Sequence, residues 1–306
     1  MLQRTLTFAG LDKAYWTEED LVIPDGYRVI TMEMTTVSPG TELGGVRSGR
    51  PNQPGYIMTG RDEQGRRCFV FPTMAESSGA HCNVRALSPQ SLLLPLPDEL
   101  PLECAGFLRF INIGMHAYNN QGVLPMRMAV IGLGPVGNIA AQIGRVLGCD
   151  VIGVDPSPNR RRIANACGIT TTLSPDDFTQ IDNTLDFVID TVAGSTTLTA
   201  AAKALKEGGA CSMVGIVKDG PLTAYALCKQ IWNKNLLFRS GWEMKNPMAL
   251  TERNLQRGVQ WLMDGHVHIT PLLNGVVKAD LGAITAAYQK LSNDPENNFC
   301  YAIDWR

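Results

Sequence analysis

Residues 128–131 are an apolar run of strand character. They pass without a break into Gly132-Leu133-Gly134-Pro135-Val136-Gly137 and then into a helical pattern over 137–147. Few folds accept three glycines at that spacing between a strand and a helix, because each answers a different steric demand. Gly132 permits the tight turn out of the strand. Gly134 removes the Cβ that would keep the backbone away from a pyrophosphate, and Gly137 lets the helix pack closely on the sheet. A pyrophosphate placed there meets free N–H groups and the positive end of the helix dipole. The next strand pattern, 150–154, runs into Asp155, which lies 18 residues beyond Gly137. An acid at that point accepts hydrogen bonds from the adenosine ribose hydroxyls and repels a 2′-phosphate. The segment therefore reads as a dinucleotide-binding unit with Gly132, Gly134, Pro135, Val136, Gly137 and Asp155 as cofactor residues. NAD(H) is favoured; Arg160, with Arg161 beside it, offers a 2′-phosphate a cation and keeps NADP(H) open.

The texture of the chain changes on either side of residue 113. Before it the sequence is dense in Pro and Gly, with short β-rich runs at 6–8, 27–34, 68–71 and 82–87, which predicts a β-barrel-like or meander domain with long loops. After it strand and helix patterns alternate, the mark of a parallel sheet with crossover helices. A helix is expected at 160–166, stopped by Gly168, and a strand at 187–190. A helix at 198–205 closed by Gly208-Gly209, a strand at 210–214 and another at 236–240 follow. From Leu250 two helices bracket a strand at 276–278, and a closing strand at 301–304 returns to the first domain. The expected fold class is α/β: a Rossmann doubly wound parallel sheet over 116–244, and a β-rich substrate domain assembled from 1–115 and 245–306.

Composition narrows the function classes. A length of 306 residues is at the limit of one hydrophobic core, in keeping with two domains. Net charge is −2, which provides no basic surface for nucleic acid or an anionic membrane. The run Arg160-Arg161-Arg162 reads as a solvated helix start. No stretch reaches the ~20 apolar residues of a membrane span and the N-terminus lacks a signal-peptide core, so a cytoplasmic location is expected. Eight cysteines without a Cys-x-x-Cys pair are expected to be free buried thiols, not disulfides or a structural zinc site.

Further motifs make the chain similar to the medium-chain dehydrogenase/reductases, the superfamily of zinc alcohol, sorbitol and threonine dehydrogenases and of quinone and enoyl reductases. Ser38-Pro39-Gly40-Thr41-Glu42 stands where that superfamily has Cys-Gly-Thr-Asp, and Pro54-Gly55-Tyr56-Ile57 where it has Pro-Gly-His-Glu. Leu94-Pro95-Leu96-Pro97-Asp98-Glu99-Leu100, Gly114-Met115-His116-Ala117 and Asp155-Pro156-Ser157-Pro158-Asn159-Arg160 resemble three further stretches. The resemblance implies a GroES-like substrate domain, a small-molecule substrate bound at the carboxyl ends of the parallel strands, and a homodimer joined through the Rossmann sheet edge. The apolar run Leu236-Leu237-Phe238 is compatible with such an edge. The departures are equally specific. Pro39, Tyr56 and Arg109 take the three positions of catalytic-zinc ligands, Gly44 takes that of the relay histidine, and the four-cysteine zinc lobe is missing. The chain thus resembles the zinc-free branch.

Without zinc, the charge that appears on the substrate during hydride transfer must be met by a hydrogen-bond donor or a cation. Thr41 stands in place of the superfamily's proton-relay hydroxyl, Tyr56 offers a phenol as general acid, and Arg109 a permanent cation for a carboxylate or carbonyl. Each also has a structural alternative: Thr41 capping a turn, Tyr56 as a packed aromatic, Arg109 paired with Glu42 across the vacated metal site. Ser38, Glu42 and Glu243 are further polar candidates. Of the histidines, His81 and His116 fall near the site by sequence, with His116 read as structural; His266 and His268 share a face of a strand-like stretch but find no third metal ligand. The expected activity is metal-independent hydride transfer between NAD(P)(H) and a small alcohol or carbonyl compound, with a biosynthetic role suggested by the Ser-Pro-Gly-Thr-Glu stretch. Two alternatives stand beside it. One is reduction of an activated C=C bond. The other is a non-catalytic NAD-binding protein with a decayed zinc site, in which an Arg109–Glu42 pair plugs the pocket.

Overall fold

Short strands separated by Pro- and Gly-rich turns build the first of two units, Met1–Arg109 with Leu255–Met263 and Leu272–Arg306. The computed structural model describes residues 1–119, 124–216, 224–243 and 247–306. Strands β1 (Leu2–Phe8) and β2 (Ala14–Asp20) form an antiparallel hairpin. Strand β3 (Arg28–Thr36) follows, and then helix α1 (Pro39–Arg47). The helix replaces the turn that Thr41 would have capped in its structural alternative. Pro39 holds the first helical position, where a fixed φ and a missing N–H do no harm, so the Ser-Pro-Gly-Thr-Glu stretch opens a helix. Strands β4 (Met58–Arg61), β5 (Arg67–Phe71), β6 (Val84–Leu87) and β7 (Leu92–Pro95) continue the unit, with helix α2 (Leu102–Ala105) and the start of helix α3 (Leu108–Asn119) after them.

The second unit, Phe110–Asn254 with Asp264–Pro271, is the alternating one. Its elements are β8 (Arg127–Ile131), α4 (Pro135–Val146), β9 (Asp150–Val154), α5 (Pro158–Ala166), β10 (Thr171–Leu173), α6 (Pro175–Phe178), β11 (Leu185–Asp190), α7 (Ser195–Ala204), β12 (Leu205–Met213), α8 (Ala224–Lys234) and β13 (Leu237–Ser240). The strands form a parallel sheet in the order β10-β9-β8-β11-β12-β13. The chain winds outward from β8 through β9 to β10, then restarts at β11 on the other side of β8, the doubly wound order of a dinucleotide-binding sheet. The neighbouring strand ends of β8 and β11 are therefore the switch point. Ala129, Ile152, Val188 and Cys211 from four strands pack with Ala201 and Leu205 into the core of this unit. One expectation needs correcting here. Gly208-Gly209 does not close a helix; α7 ends at Ala204 and β12 runs through both glycines. Pairing with β11 jumps from Leu185↔Leu205 to Phe187↔Ala210, so the left-handed Gly208 absorbs a bulge.

Helix α9 (Met248–Met263) precedes the return to the first unit, where β14 (Gly275–Lys278), α10 (Leu281–Asn293) and β15 (Tyr301–Asp304) complete the mixed sheet β14-β15-β3-β4-β5-β7, with β6 also on β3. The closing strand does return as its sequence suggested: β15 lies antiparallel to β3, with Ala302 opposite Thr36 and Ile303 opposite Thr35. Beneath it Phe8, Val46, Ile284, Tyr288 and Leu291 form an apolar cluster. The cysteines are free thiols, as expected, and all but the exposed Cys228 and half-buried Cys104 are buried. Among the described residues no helix is long and apolar enough to cross a membrane.

Candidate active site

In the second unit the glycine turn has the geometry its sequence requires. Gly132 leaves β8 at φ +88°, a conformation costly for any other residue. A Cβ on Gly137 would lie 1.7 Å from the Gly132 carbonyl oxygen, so the first turn of α4 can only sit against the strand end if position 137 is glycine. Gly134 is the N-cap of α4 and supplies no side-chain cap, which leaves first-turn N–H groups for an anion. A Cβ there would come near only Arg160 Nη1, at 3.8 Å, so the space beside the turn is open.

Asp155 is buried at the end of β9, and its position is fixed by the turn itself. Leu133 N–H donates to Oδ2 at 2.8 Å and Ser157 N–H to Oδ1 at 2.9 Å. Arg160 Nη1 lies 3.7 Å from Oδ2. The basic run is not the simple solvated helix start that was expected. Arg161 turns back to donate to the carbonyls of Asp155 at 2.6 Å and Pro156 at 3.0 Å, while Arg162 bonds Asn159 Oδ1. Ordinary N-cap geometry explains the bend, since Ser157 Oγ accepts from Arg160 N–H.

In the first unit the residues carried over from the resemblance gather around the start of α1. Glu42 is only 4 % exposed. Its Oε1 accepts from Ser38 N–H at 2.8 Å, and its Oε2 accepts from Tyr288 Oη–H and contacts His81 Nε2 at 3.1 Å. His81 Nδ1 lies 2.7 Å from Thr35 Oγ1, which also accepts from Trp305 Nε1–H at 2.9 Å. Gly55 makes room for this imidazole, because a Cβ there would stand 2.8 Å from the His81 ring. On the other side of Ser38, Tyr56 Oη–H donates to Ser38 Oγ at 2.8 Å. The Arg109 guanidinium, 2 % exposed, lies over the rings of Tyr56 and Phe71, with its carbon 4.9 Å and 4.1 Å from their centroids. Thr41 is exposed on α1, one residue from this cluster.

Three expectations are altered by this arrangement. The Arg109–Glu42 ion pair does not form. Glu42 is satisfied by its own helix N-cap and by His81 and Tyr288, whereas the weakly hydrated guanidinium is accommodated on aromatic faces. His266 and His268 are not on a strand; His268 is held through its backbone by Gln142, at 2.6 Å and 2.9 Å. Glu243 lies in the second unit, buried, accepting from Asn112 Nδ2, whose Oδ1 accepts from Asn254 at 3.2 Å. Sequence reading also missed Tyr288 and the link from His81 to Glu42, since neither partner is near Glu42 in the chain. A faint signal existed for Ser38 and Glu42, which stand one residue wider than a capping box.

The resemblance puts Pro39, Tyr56 and Arg109 at the positions that hold catalytic zinc in metal-dependent dehydrogenases, and none of these side chains is a metal ligand of ordinary kind. Among the described residues no three His, Cys, Asp or Glu side chains gather in a way that could hold a metal ion.

With this geometry in place, the solved structures show what the fold is. The chain superposes on galactitol-1-phosphate dehydrogenase from Escherichia coli with a TM-score of 0.83 at 16 % identity, covering 98 % of this chain and 99 % of that one. The fold is shared with that dehydrogenase. A protein described as a short chain alcohol dehydrogenase from E. coli CFT073, solved in complex with NADH, matches with a TM-score of 0.83 at 13 % identity over 99 % of both chains. Residues 135–252 match the zinc-binding dehydrogenase family. In sequence the chain is 29 % identical over 126 residues to probable cinnamyl alcohol dehydrogenase 6 of Oryza sativa subsp. japonica, which is 40 % of this chain and 35 % of that protein. The alignment thus spans about a third of the length of that relative.

Proposed function

We propose that the chain is a metal-independent oxidoreductase that moves a hydride between NAD(P)(H) and a small alcohol or carbonyl substrate. The observation that carries this reading is the glycine turn bonded to Asp155: an anion site at a helix N-terminus with a carboxylate fixed beside it. In it Gly132, Gly134, Pro135, Val136 and Gly137 cradle the pyrophosphate, and Asp155 takes the ribose hydroxyls. Arg161 is engaged with backbone carbonyls, which leaves Arg160 as the cation beside the ribose. The likeness to an alcohol dehydrogenase solved with NADH supports NAD(H). When bound, the cofactor supplies the hydride donor or acceptor.

The first unit supplies the proton chemistry in this reading. Tyr56 is the acid that protonates the alkoxide formed on carbonyl reduction, with the Arg109 cation over its ring to offset the charge the phenol acquires. Thr41, exposed on α1, passes the proton to or from solvent. The absence of ligand chemistry at Pro39, Tyr56 and Arg109 supports metal independence. A homodimer through the sheet edge is part of the proposal: β13 is an edge strand, Leu237 on it is 43 % exposed, and Trp232 on α8 is 86 % exposed.

A fluorescence titration with NADH and with NADPH, each repeated after chelator treatment, tests the reading. NADH is expected to bind more tightly, indifferent to chelator, and aldehydes, ketones and enones then become the substrates to screen. Preference for NADPH would transfer selectivity from Asp155 to Arg160. Failure to bind either dinucleotide would sink the proposal.

A further inference from the structure

We propose that Glu42 and His81 are positioning residues, a buried carboxylate and an imidazole protonated on Nε2 alone, which hold Ser38 and through Ser38 Oγ the hydroxyl of Tyr56. The inference rests on the reading of Tyr56 as the proton donor, and it begins with hydrogen-bond accounting. Trp305 Nε1–H can only donate, so Thr35 Oγ1 accepts from it. Thr35 is fully buried, so its own hydroxyl proton needs an acceptor, and the neighbour that can take it is His81 Nδ1, 2.7 Å away. With Nδ1 accepting, the imidazole proton resides on Nε2 and points to Glu42 Oε2 at 3.1 Å. Tyr288 supplies a second donor to the same oxygen, and Ser38 N–H a donor to the other. Glu42 therefore accepts on both oxygens, the role of a carboxylate.

The surroundings suit that assignment. Burial and the neighbouring charge of Glu42 push both the Tyr288 phenol and the Cys300 thiol up, so each remains a protonated donor; Cys300 Sγ–H is aimed at the Val37 carbonyl, 3.2 Å away. A negative group near the N-terminus of α1 also lies on the favourable side of the helix dipole. The consequence is a chain of contacts from Trp305 through Thr35, His81 and Glu42 to the backbone of Ser38, whose Oγ receives the Tyr56 proton donor. No part of it depends on a residue in the second unit. His81 touches neither Ser38 nor Tyr56 in this chain of contacts; it acts through Glu42.

The test combines a spectroscopic arm with two variants. In wild-type protein the ¹⁵N spectrum of His81 is expected to show a proton on Nε2 and a bare Nδ1 at neutral pH. A proton on Nδ1, or on both nitrogens, would overturn the assignment. In His81→Leu the Ser38 amide is expected to exchange with deuterium roughly tenfold faster, because its acceptor is no longer held. In His81→Gln, whose amide nitrogen can reach Glu42, protection should be largely restored. An unchanged Ser38 exchange rate in His81→Leu would refute positioning; if that variant does not fold, the wild-type spectrum and His81→Gln decide the matter. With a substrate in hand, His81→Leu should lower kcat about 10- to 100-fold with KM and NADH affinity nearly unchanged, as for a misplaced proton donor. A wild-type protein that turns over no substrate would count against the proposed function, and the exchange and spectroscopic results would still judge the dyad.

Discussion

Gly137 is the residue of the second unit with the least freedom. Its missing Cβ is what allows the Gly132 carbonyl to sit where it does. Gly137→Ala is expected to destabilise by about 1–3 kcal/mol or more through overpacking. It should weaken NADH binding too, and a denaturant melt beside a fluorescence titration checks both. Asp155→Ala should weaken NADH by roughly 1–3 kcal/mol, the cost of losing a charged hydrogen-bond acceptor. Because Arg160 already lies 3.7 Å from that carboxylate, the same variant should gain affinity for NADPH. Equal NADH affinity in wild type and variant would show that Asp155 does not meet the ribose. At Tyr56 the separation of roles is sharper. Tyr56→Phe keeps the ring under Arg109 but removes the hydroxyl on Ser38, and should cost about 100- to 10,000-fold in turnover with little change in melting temperature.

Among the elements, helices were legible but their starts were not: the expected starts at 137, 160 and 198 fall two or three residues late, and the short helix at Pro175–Phe178 was not expected. Ser157, Ser174 and Asp280 each cap a helix with a side-chain oxygen that accepts from the third residue on, at 3.3 Å, 3.1 Å and 3.0 Å, and two of them precede a proline at the first helical position. The loop between β5 and β6 was less legible, because its own acid, Glu76, is paired with Ser88 and Ser91, 12 and 15 residues further on. Glu76 accepts from Thr73 and Ser91 hydroxyls at 2.6 Å each and from Ser88 N–H at 2.7 Å, tying two loops together. Although burial opposes it, these hydrogen bonds bring the Glu76 carboxyl down from 4.5 to about 2. A carboxylate depressed in the folded state contributes stability above its unfolded value, and that contribution fades as pH falls from about 4.5 toward about 2. Thermal melts of wild type and Glu76→Gln should therefore differ at neutral pH, with the gap narrowing below about pH 4.5 and closing at about pH 2. A constant gap at all pH values would show that the ionised carboxylate is not what fastens the loops.

At the scale of the whole molecule, the last strand of the chain shares a sheet with β3, far from it in sequence. β15 lies between β14 and β3, so removal of residues 300–306 takes out an interior strand together with the buried Tyr301, Ala302 and Ile303. Such a truncation is expected to unfold the first unit, seen as loss of protection in β3 by hydrogen exchange. In the proposed function NADH acts elsewhere. By mass action a concentration 100 times its Kd should stabilise the native state by about 2.7 kcal/mol, and the protection should be concentrated in the β8–β12 sheet. Stabilisation spread over β3 and β15 instead would argue against a cofactor held by the second unit.

How much of this was written in the amino-acid order depends on the range of the interaction. The turn at 132–137, its helix, the strand before it and the acid after it were legible because each is dictated by neighbours a few residues away: steric room, a cap, a period of apolar side chains. The alternation that implies a parallel sheet is likewise local, and so is the strand at 301–304, although its partner β3 lies far off in the chain. The surroundings of Glu42 were not legible. Tyr288 and Glu42 are 246 positions apart and His81 is 39 from Glu42, so only the folded chain could choose them over Arg109 as partners. Burial made that choice. A carboxylate removed from water must take the nearest donors with good geometry, while a guanidinium can be buried on aromatic faces, and which donors are near is decided by tertiary packing.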